Sequence, residues 1–307
     1  MPRALIVGDV INDILAAVPG PLLHGDDNPA VIRLRPGGSA ANQAAWLAGL
    51  GVDVLFAGRV GAADADFHRR ELARFGVRPH LAADDSAATG SIVVLVEPGG
   101  ERTMLTFRGA NVNLCPADVP AALLDGVDLL HLTGYTFFAP GARAVALGLI
   151  ADARRRGIPF TVDPGSAGFL AGLAPGDFLA WTAGAAVSFP NRDEAAVLSC
   201  RSGPPEALAA PLTRHYGVVA VKLGPDGALV ATAANTTVPT TSAAEPVRVP
   251  AVPAVARDTT GAGDAFCAGF LAAWLAGRGP AAAAAAGVRT AARAVAALGA
   301  RPAYPDG

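Results

Sequence analysis

Asp258-Thr259-Thr260-Gly261-Ala262-Gly263-Asp264 runs straight into Ala265-Phe266-Cys267-Ala268-Gly269-Phe270-Leu271-Ala272-Ala273-Trp274-Leu275. The second stretch is apolar almost all round, the pattern of a helix buried on every side. The first is therefore a glycine-rich loop that delivers the chain to a buried helix N-terminus. Such an end presents unpaired N–H groups and about half a unit of positive charge. Small residues let a phosphate approach that backbone closely. One carboxylate, Asp264, sits in the same turn. The amides of Gly261, Ala262 and Gly263 would steady charge on a moving phosphoryl group. Asp264 would take the proton of an attacking hydroxyl. The competing reading makes Asp264 a helix cap and the glycines a plain turn.

Around this stretch lie 307 residues, enough for one large α/β domain or two small ones. The chain is 52% apolar and 16% charged, so a sizeable core is expected. Net charge is −2 and there is no long basic run, which argues against a nucleic-acid partner. Cys115, Cys200 and Cys267 have no paired or metal-ligand spacing, which suits a reduced, cytoplasmic setting. No signal peptide is visible, and the apolar runs are too short to span a bilayer.

Strand-length apolar runs alternate with helical stretches. Ala4–Gly8, Val54–Gly58, Asp128–Thr133, Phe160–Val162, Ala186–Phe189 and Val218–Lys222 read as strands. Ala40–Leu50, Asp66–Phe75, Pro140–Arg156, Pro205–Tyr216, Gly263–Ala276 and Pro280–Leu298 read as helices. The order implies an α/β fold with a doubly wound, mostly parallel sheet, and ligands at the carboxyl ends of its strands. Two places break the rhythm. Ala30–Arg35 alternates, and Ser91–Glu97 and Arg102–Arg108 flank Pro98-Gly99-Gly100-Glu101 as a hairpin. Having no helical crossover, these strands read as a separate small β-sheet.

No G-x-x-x-x-G-K-[S/T] stretch is present, nor G-x-G-x-x-G after the first strand, nor H-E-x-x-H, nor C-x-x-C. P-loop kinases and dinucleotide oxidoreductases are thereby disfavoured. The five histidines, His131 among them, read as isolated structural residues.

The 258–264 stretch resembles the second signature of the ribokinase-like (PfkB) carbohydrate kinases. Pro36-Gly37-Gly38-Ser39-Ala40-Ala41-Asn42-Gln43-Ala44, with Gly51 and Gly58-Arg59-Val60-Gly61, resembles the first. The resemblance runs from Gly8 to about Pro302 and implies one kinase domain over 1–307. Its lid would be built from parts of about 10–36 and 88–110. It implies Asp264 as catalytic base, with Gly261, Ala262 and Gly263 as anion hole. Asp13, Gly37, Gly38 and Asn42 would contact the sugar, with Asp9 and Asn12 as further candidates.

On the nucleotide side, Ser188-Phe189-Pro190-Asn191-Arg192-Asp193-Glu194 resembles the family's N-x-x-E motif. The likeness implies that Asn191 and Glu194 organise magnesium through water; a first-turn acid at a helix start is the alternative for Glu194. Val221-Lys222-Leu223-Gly224-Pro225-Asp226-Gly227 resembles the nucleotide-side turn, implying Lys222, Gly224 and Gly227 beside ATP, although a hairpin alone would also explain it. Asp163 ends another strand toward the cleft. The C-terminal stretch 291–302 resembles the ribokinase terminus, which implies potassium near Asp258, Thr260, Ala294 and Gly299.

One departure affects the substrate. Ribokinases carry a glutamate where Thr133 stands, followed here by Gly134-Tyr135. Ribose itself is therefore in question. Tyr135 or Phe137 would either stack on a ligand or pack in the core. Arg33, Arg35, Arg102 and Arg108 are either solvated strand charge or a seat for an anionic substrate. The expectation is an ATP-dependent kinase acting on a hydroxyl of a small sugar or sugar-like molecule. The alternatives are a nucleoside or phosphosugar kinase, or a catalytically silent sugar-binding regulator. An exposed lid edge would allow a homodimer.

Overall fold

The computed structural model describes residues 1–97, 102–233 and 245–303. In chain order the elements begin with β1 (Arg3–Val7), β2 (Ile11–Ala17), β3 (Val31–Gly37), α1 (Ser39–Gly49), β4 (Asp53–Gly61) and α2 (Ala65–Ala73). Next come β5 (Arg78–Asp84), β6 (Gly90–Val96), β7 (Arg102–Phe107), β8 (Leu129–Thr133), α3 (Tyr135–Phe138), α4 (Pro140–Arg155) and β9 (Phe160–Asp163). The chain continues through α5 (Ala167–Ala171), α6 (Pro175–Thr182), β10 (Val187–Ser188), α7 (Arg192–Ser199), α8 (Pro205–Leu212) and β11 (Val218–Lys222). It closes with β12 (Ala228–Thr232), β13 (Val247–Val249), α9 (Ala262–Leu275) and α10 (Pro280–Val295).

Nine strands form the large sheet in the order β13-β12-β11-β10-β9-β8-β1-β4-β5. Pairing is parallel from β10–β11 across to β4–β5, and antiparallel at the β11–β12–β13 end. Alternate residues of one strand feed different cores. Ala4 and Ile6 join the cluster with α1, α9 and α10, whereas Leu5 and Val7 join the cluster with α4 and α8. Covering both faces is what makes such strands read as continuous apolar runs. Helix α9 is buried from Ala265 through Leu271, then half-buried to Leu275.

The small sheet has the order β3-β2-β6-β7. The β6–β7 pair is antiparallel, as expected of a hairpin, and its Pro98–Glu101 turn lies outside the described residues. Strand β2 is one of the elements that sequence reading missed: it pairs antiparallel with β3 and parallel with β6. Asp13 therefore sits on a strand of the small sheet, not in a loop after β1.

Helix ends also differ from expectation. Helix α8 stops at Leu212, just after the internal Pro211, four residues short of Tyr216. Helix α10 stops at Val295, whose carbonyl accepts from the amides of Arg257 and Asp258.

Candidate active site

Helix α9 begins where the chain turns through Gly261 at φ +75°. A Cβ there would lie 2.6 Å from the Ala300 carbonyl oxygen, so only glycine fits both the angle and the space. Asp258 holds the loop at its other end. Its Oδ1 accepts from the Thr260 amide at 2.9 Å and its Oδ2 from the Gly299 amide at 3.0 Å. The loop is thus fastened to the C-terminal segment before it reaches the helix.

Asp264 points at the start of α1. Its Oδ1 accepts from Ser39 Oγ at 2.7 Å and Gln43 Nε2 at 3.2 Å, and its Oδ2 from Asn42 Nδ2 at 3.0 Å. Burial pushes the carboxyl up to about 7, opposed by the Ser39 and Asn42 hydrogen bonds. Two residue types that sequence reading left without a role, Ser39 and Gln43, are therefore direct partners of Asp264. Asn42 is steadied in turn: its Oδ1 accepts from Arg301 Nε at 3.2 Å, while Arg301 also donates to the Gly37 carbonyl at 3.1 Å.

The start of α1 is itself held by a carboxylate. Asp9 accepts from the amides of Ser39 and Ala40, each at 3.2 Å, and Arg108 lies 3.6 Å from it. An anion at a helix N-terminus is favourable, and here the protein supplies it. Asn12 donates to Asp64 at 2.7 Å, which ties β2 to the body and gives the 62–67 stretch a structural use. Asp13 lies against Gly37, where a Cβ would come within 2.1 Å of its Oδ2. Burial pushes Asp13 up to about 7, Asp9 adds to the effect and Arg301 opposes it.

On the other side of the loop lies a cavity of about 830 Å³. Lys222, Gly224 and Gly227 line it at the β11–β12 turn; Thr259, Ala262, Gly263 and Phe266 line it at the loop and α9. Val252 and Pro253 close one wall, and Val288 and Ala292 of α10 the other. The wall is mostly apolar with one cationic side chain, as suits a flat apolar group that carries phosphates. Lys222 is 2.8 Å from Asp163 Oδ1, an ion pair that holds it protonated despite its burial. The β11–β12 hairpin and the cavity lining are therefore one feature.

Asn191 and Glu194 do not line this cavity. They form a capping box at the start of α7: the Glu194 amide donates to Asn191 Oδ1 at 2.8 Å, and Glu194 accepts from Asn191 N and Nδ2 at 2.9 and 2.7 Å. Both oxygens of Glu194 are engaged, and its carboxyl is pushed up to about 7 by burial, with Lys222 opposing. Among the described residues no group of three or more His, Cys, Asp or Glu side chains is placed to hold a metal.

Thr133 is fully buried against Gly8 and brings no carboxylate. Tyr135 is half-buried, with Arg108 4.5 Å over its ring and its hydroxyl donating to the Gly165 carbonyl at 3.2 Å. Phe137 is core. His131 is not an isolated residue: it sits in a buried polar chain between Thr161 and Gln43.

A glycine-rich helix start with a carboxylate in its first turn is thus set between an apolar cavity and a small sheet that carries Asp13. The pfkB family carbohydrate kinase model matches residues 1–306. The chain belongs to that family. It is 34% identical over 90% of its length to an ATP-dependent ribose-1-phosphate kinase of Halopiger xanaduensis, covering 86% of that protein. It is 29% identical over 87% of its length to a fructokinase of Klebsiella pneumoniae, covering 82%. Among solved structures, adenosine kinase from Sinorhizobium meliloti is similar at TM-score 0.84 and 27% identity over 98% of this chain and 96% of that one. This pfkB-family chain is thus a carbohydrate kinase, a phosphotransferase acting on an alcohol group. No helix among its described residues is long and apolar enough to cross a membrane.

Proposed function

We propose that the chain transfers the γ-phosphate of ATP to a hydroxyl of a small sugar or sugar-like molecule, with Asp264 as general base. The observation that carries this reading is the position of Asp264. It is one residue from Gly263 on the cavity wall, and its carboxylate faces Ser39 and Asn42 on the side of Asp13 and Gly37.

The nucleotide would lie in the 830 Å³ cavity beside Lys222, Gly224 and Gly227, its phosphates toward Gly261–Gly263. The acceptor hydroxyl would lie among Asp13, Gly37, Gly38 and Asn42. Its oxygen forms the new bond to the γ-phosphorus as the bond to the ADP oxygen breaks, and its proton passes to Asp264. The amides at the start of α9 receive charge on the transferring group. The small sheet, closing over the acceptor, would exclude water as a competing acceptor.

Magnesium would arrive with ATP and neutralise phosphate charge, with Asn191 and Glu194 reaching it through water. Potassium near Asp258, Thr260, Ala294 and Gly299 is supported by the family likeness of this C-terminal stretch, where Asp258 already binds the Thr260 and Gly299 amides. Such an ion would stiffen the loop before α9.

A phosphosugar acceptor is the second reading. Arg35 is the register partner of Asp13, and Arg33 that of Leu15, so both stand on the face of the small sheet that carries Asp13. On the opposite face Ile32, Leu34, Leu105 and Phe107 are each more than half exposed. That apolar face supports a homodimer through the small sheet. Leu34→Asp should then lower the molar mass measured in solution by half, and a wild-type monomer would remove the idea.

The test is ADP release from Mg-ATP against ribose, ribose 1-phosphate, fructose, fructose 1-phosphate and adenosine, each with sodium or potassium. Turnover of a sugar or phosphosugar bears the reading out. A protein that fails to bind ATP at all contradicts it.

A further inference from the structure

Gln43 is fully buried on the second turn of α1. Its Nε2 is 2.9 Å from Asp163 Oδ2, 3.2 Å from Asp264 Oδ1 and 3.1 Å from Ser39 Oγ, while its Oε1 meets His131 Nε2. His131 Nδ1 is 2.7 Å from Thr161 Oγ1, and the two residues are register partners on β8 and β9.

These contacts admit one consistent arrangement of hydrogens. Burial pulls His131 down to about 4, so its ring is neutral, with one donor and one acceptor nitrogen. The Thr161 hydroxyl donates to Nδ1, and Nε2–H donates to Gln43 Oε1. The Gln43 amide then turns one N–H to Asp163 Oδ2, and shares the other between Asp264 Oδ1 and Ser39 Oγ, which itself donates to that same carboxylate oxygen. The flipped amide would set its carbonyl oxygen against both carboxylates and face the ring with a competing donor.

We propose that Gln43, turned by His131, is a positioning residue that ties Asp264 to the Asp163–Lys222 ion pair and keeps it a carboxylate ready to accept a proton. The proposal rests on the reading of Asp264 as base. Without that donor, the two carboxylates would face each other with Lys222 as the one cation paired to either and no group bonded to both. The other groups bearing on Asp264 are Ser39 and Asn42 of α1, Cys267 one turn along α9, and Tyr135 of α3, with Arg301 acting through Asn42. None of these spans the two carboxylates as Gln43 does.

The test is a pH titration by NMR of the full chain, without nucleotide, carrying ¹³C-carboxyl aspartate. The Asp264 signal is the one that Asp264→Asn removes. Its midpoint in the wild type is expected at about 7. In Gln43→Met the midpoint should rise by about one pH unit, the size expected for a lost hydrogen bond to a charged group. His131→Leu should move it the same way, and His131→Gln, which keeps a donor, should return it toward the wild type. An unmoved midpoint in Gln43→Met and His131→Leu overturns the proposal; so do equal shifts in His131→Leu and His131→Gln. If Gln43→Met does not fold, the His131 pair decides. The titration does not depend on turnover. An active Asp264→Asn enzyme would remove the base while leaving this result standing.

Discussion

Lys222 Nζ, at the end of β11, lies 2.8 Å from Asp163 Oδ1, at the end of β9 with β10 between them, and Lys222 is the only lysine among 307 residues. The other 23 of its 24 basic residues are arginines. Its compact ammonium meets Asp163 with Cys267 Sγ at 4.0 Å and Gly263 alongside.

Removing that ammonium leaves Asp163 buried without its counter-ion. Lys222→Met should lower unfolding free energy by about 3–5 kcal/mol, as for other broken buried pairs. The double variant Asp163→Asn with Lys222→Met should recover part of the loss. Urea unfolding of the four proteins of the cycle measures this, and equal losses in the single and double variants would contradict the pairing.

The two glycines of the loop should respond differently to alanine. Gly261→Ala puts a Cβ against the Ala300 backbone at φ +75° and should cost about 2 kcal/mol or more, seen as a lower thermal midpoint. At Gly263 a Cβ meets nothing nearer than Lys222 Nζ at 3.5 Å. Gly263→Ala should keep the thermal midpoint yet raise KM for ATP, because the methyl enters the cavity.

The raised carboxyl of Asp264 has a thermodynamic consequence. Folded, it keeps its proton to about pH 7; unfolded, it loses it near 3.8. Between those values the folded state binds more protons, so Asp264 makes folding less favourable as pH rises. Asp264→Asn removes this term. Relative to the wild type the variant should gain stability from about pH 4 to pH 7, and the gain should level off above. Urea unfolding at pH 5 and pH 8 checks it; a gain that shrinks with pH would contradict the burial of the charge.

The parts of the site that were legible in the sequence are those whose chemistry is local. The 258–264 loop, the glycines at 37 and 38, and the 222–227 turn each carry their signal within a few residues. Asp13 stood out through the family resemblance, but its strand did not, because β2 mixes polar and half-buried residues without clean alternation. Edge strand β5, with Pro79 and two charged ends, was hidden for a similar reason. The hydrogen-bond partners were the least visible. Gln43 meets His131 from 88 residues away, and Arg301 meets Asn42 from 259, and no local pattern encodes either contact. Asp9 read as a candidate sugar contact, and its hold on the start of α1 was hidden because the amides it caps lie 30 and 31 residues on.

The account stands or falls on the proton acceptor. Asp264→Asn keeps the shape of the side chain and its neighbours but removes the base. With Mg-ATP and an acceptor that the wild type phosphorylates, kcat should fall by about 10²–10⁴-fold while ATP binding, measured by calorimetry, stays near the wild-type value. A variant that binds ATP and turns over within a few-fold of the wild type would contradict the assignment of Asp264 as general base.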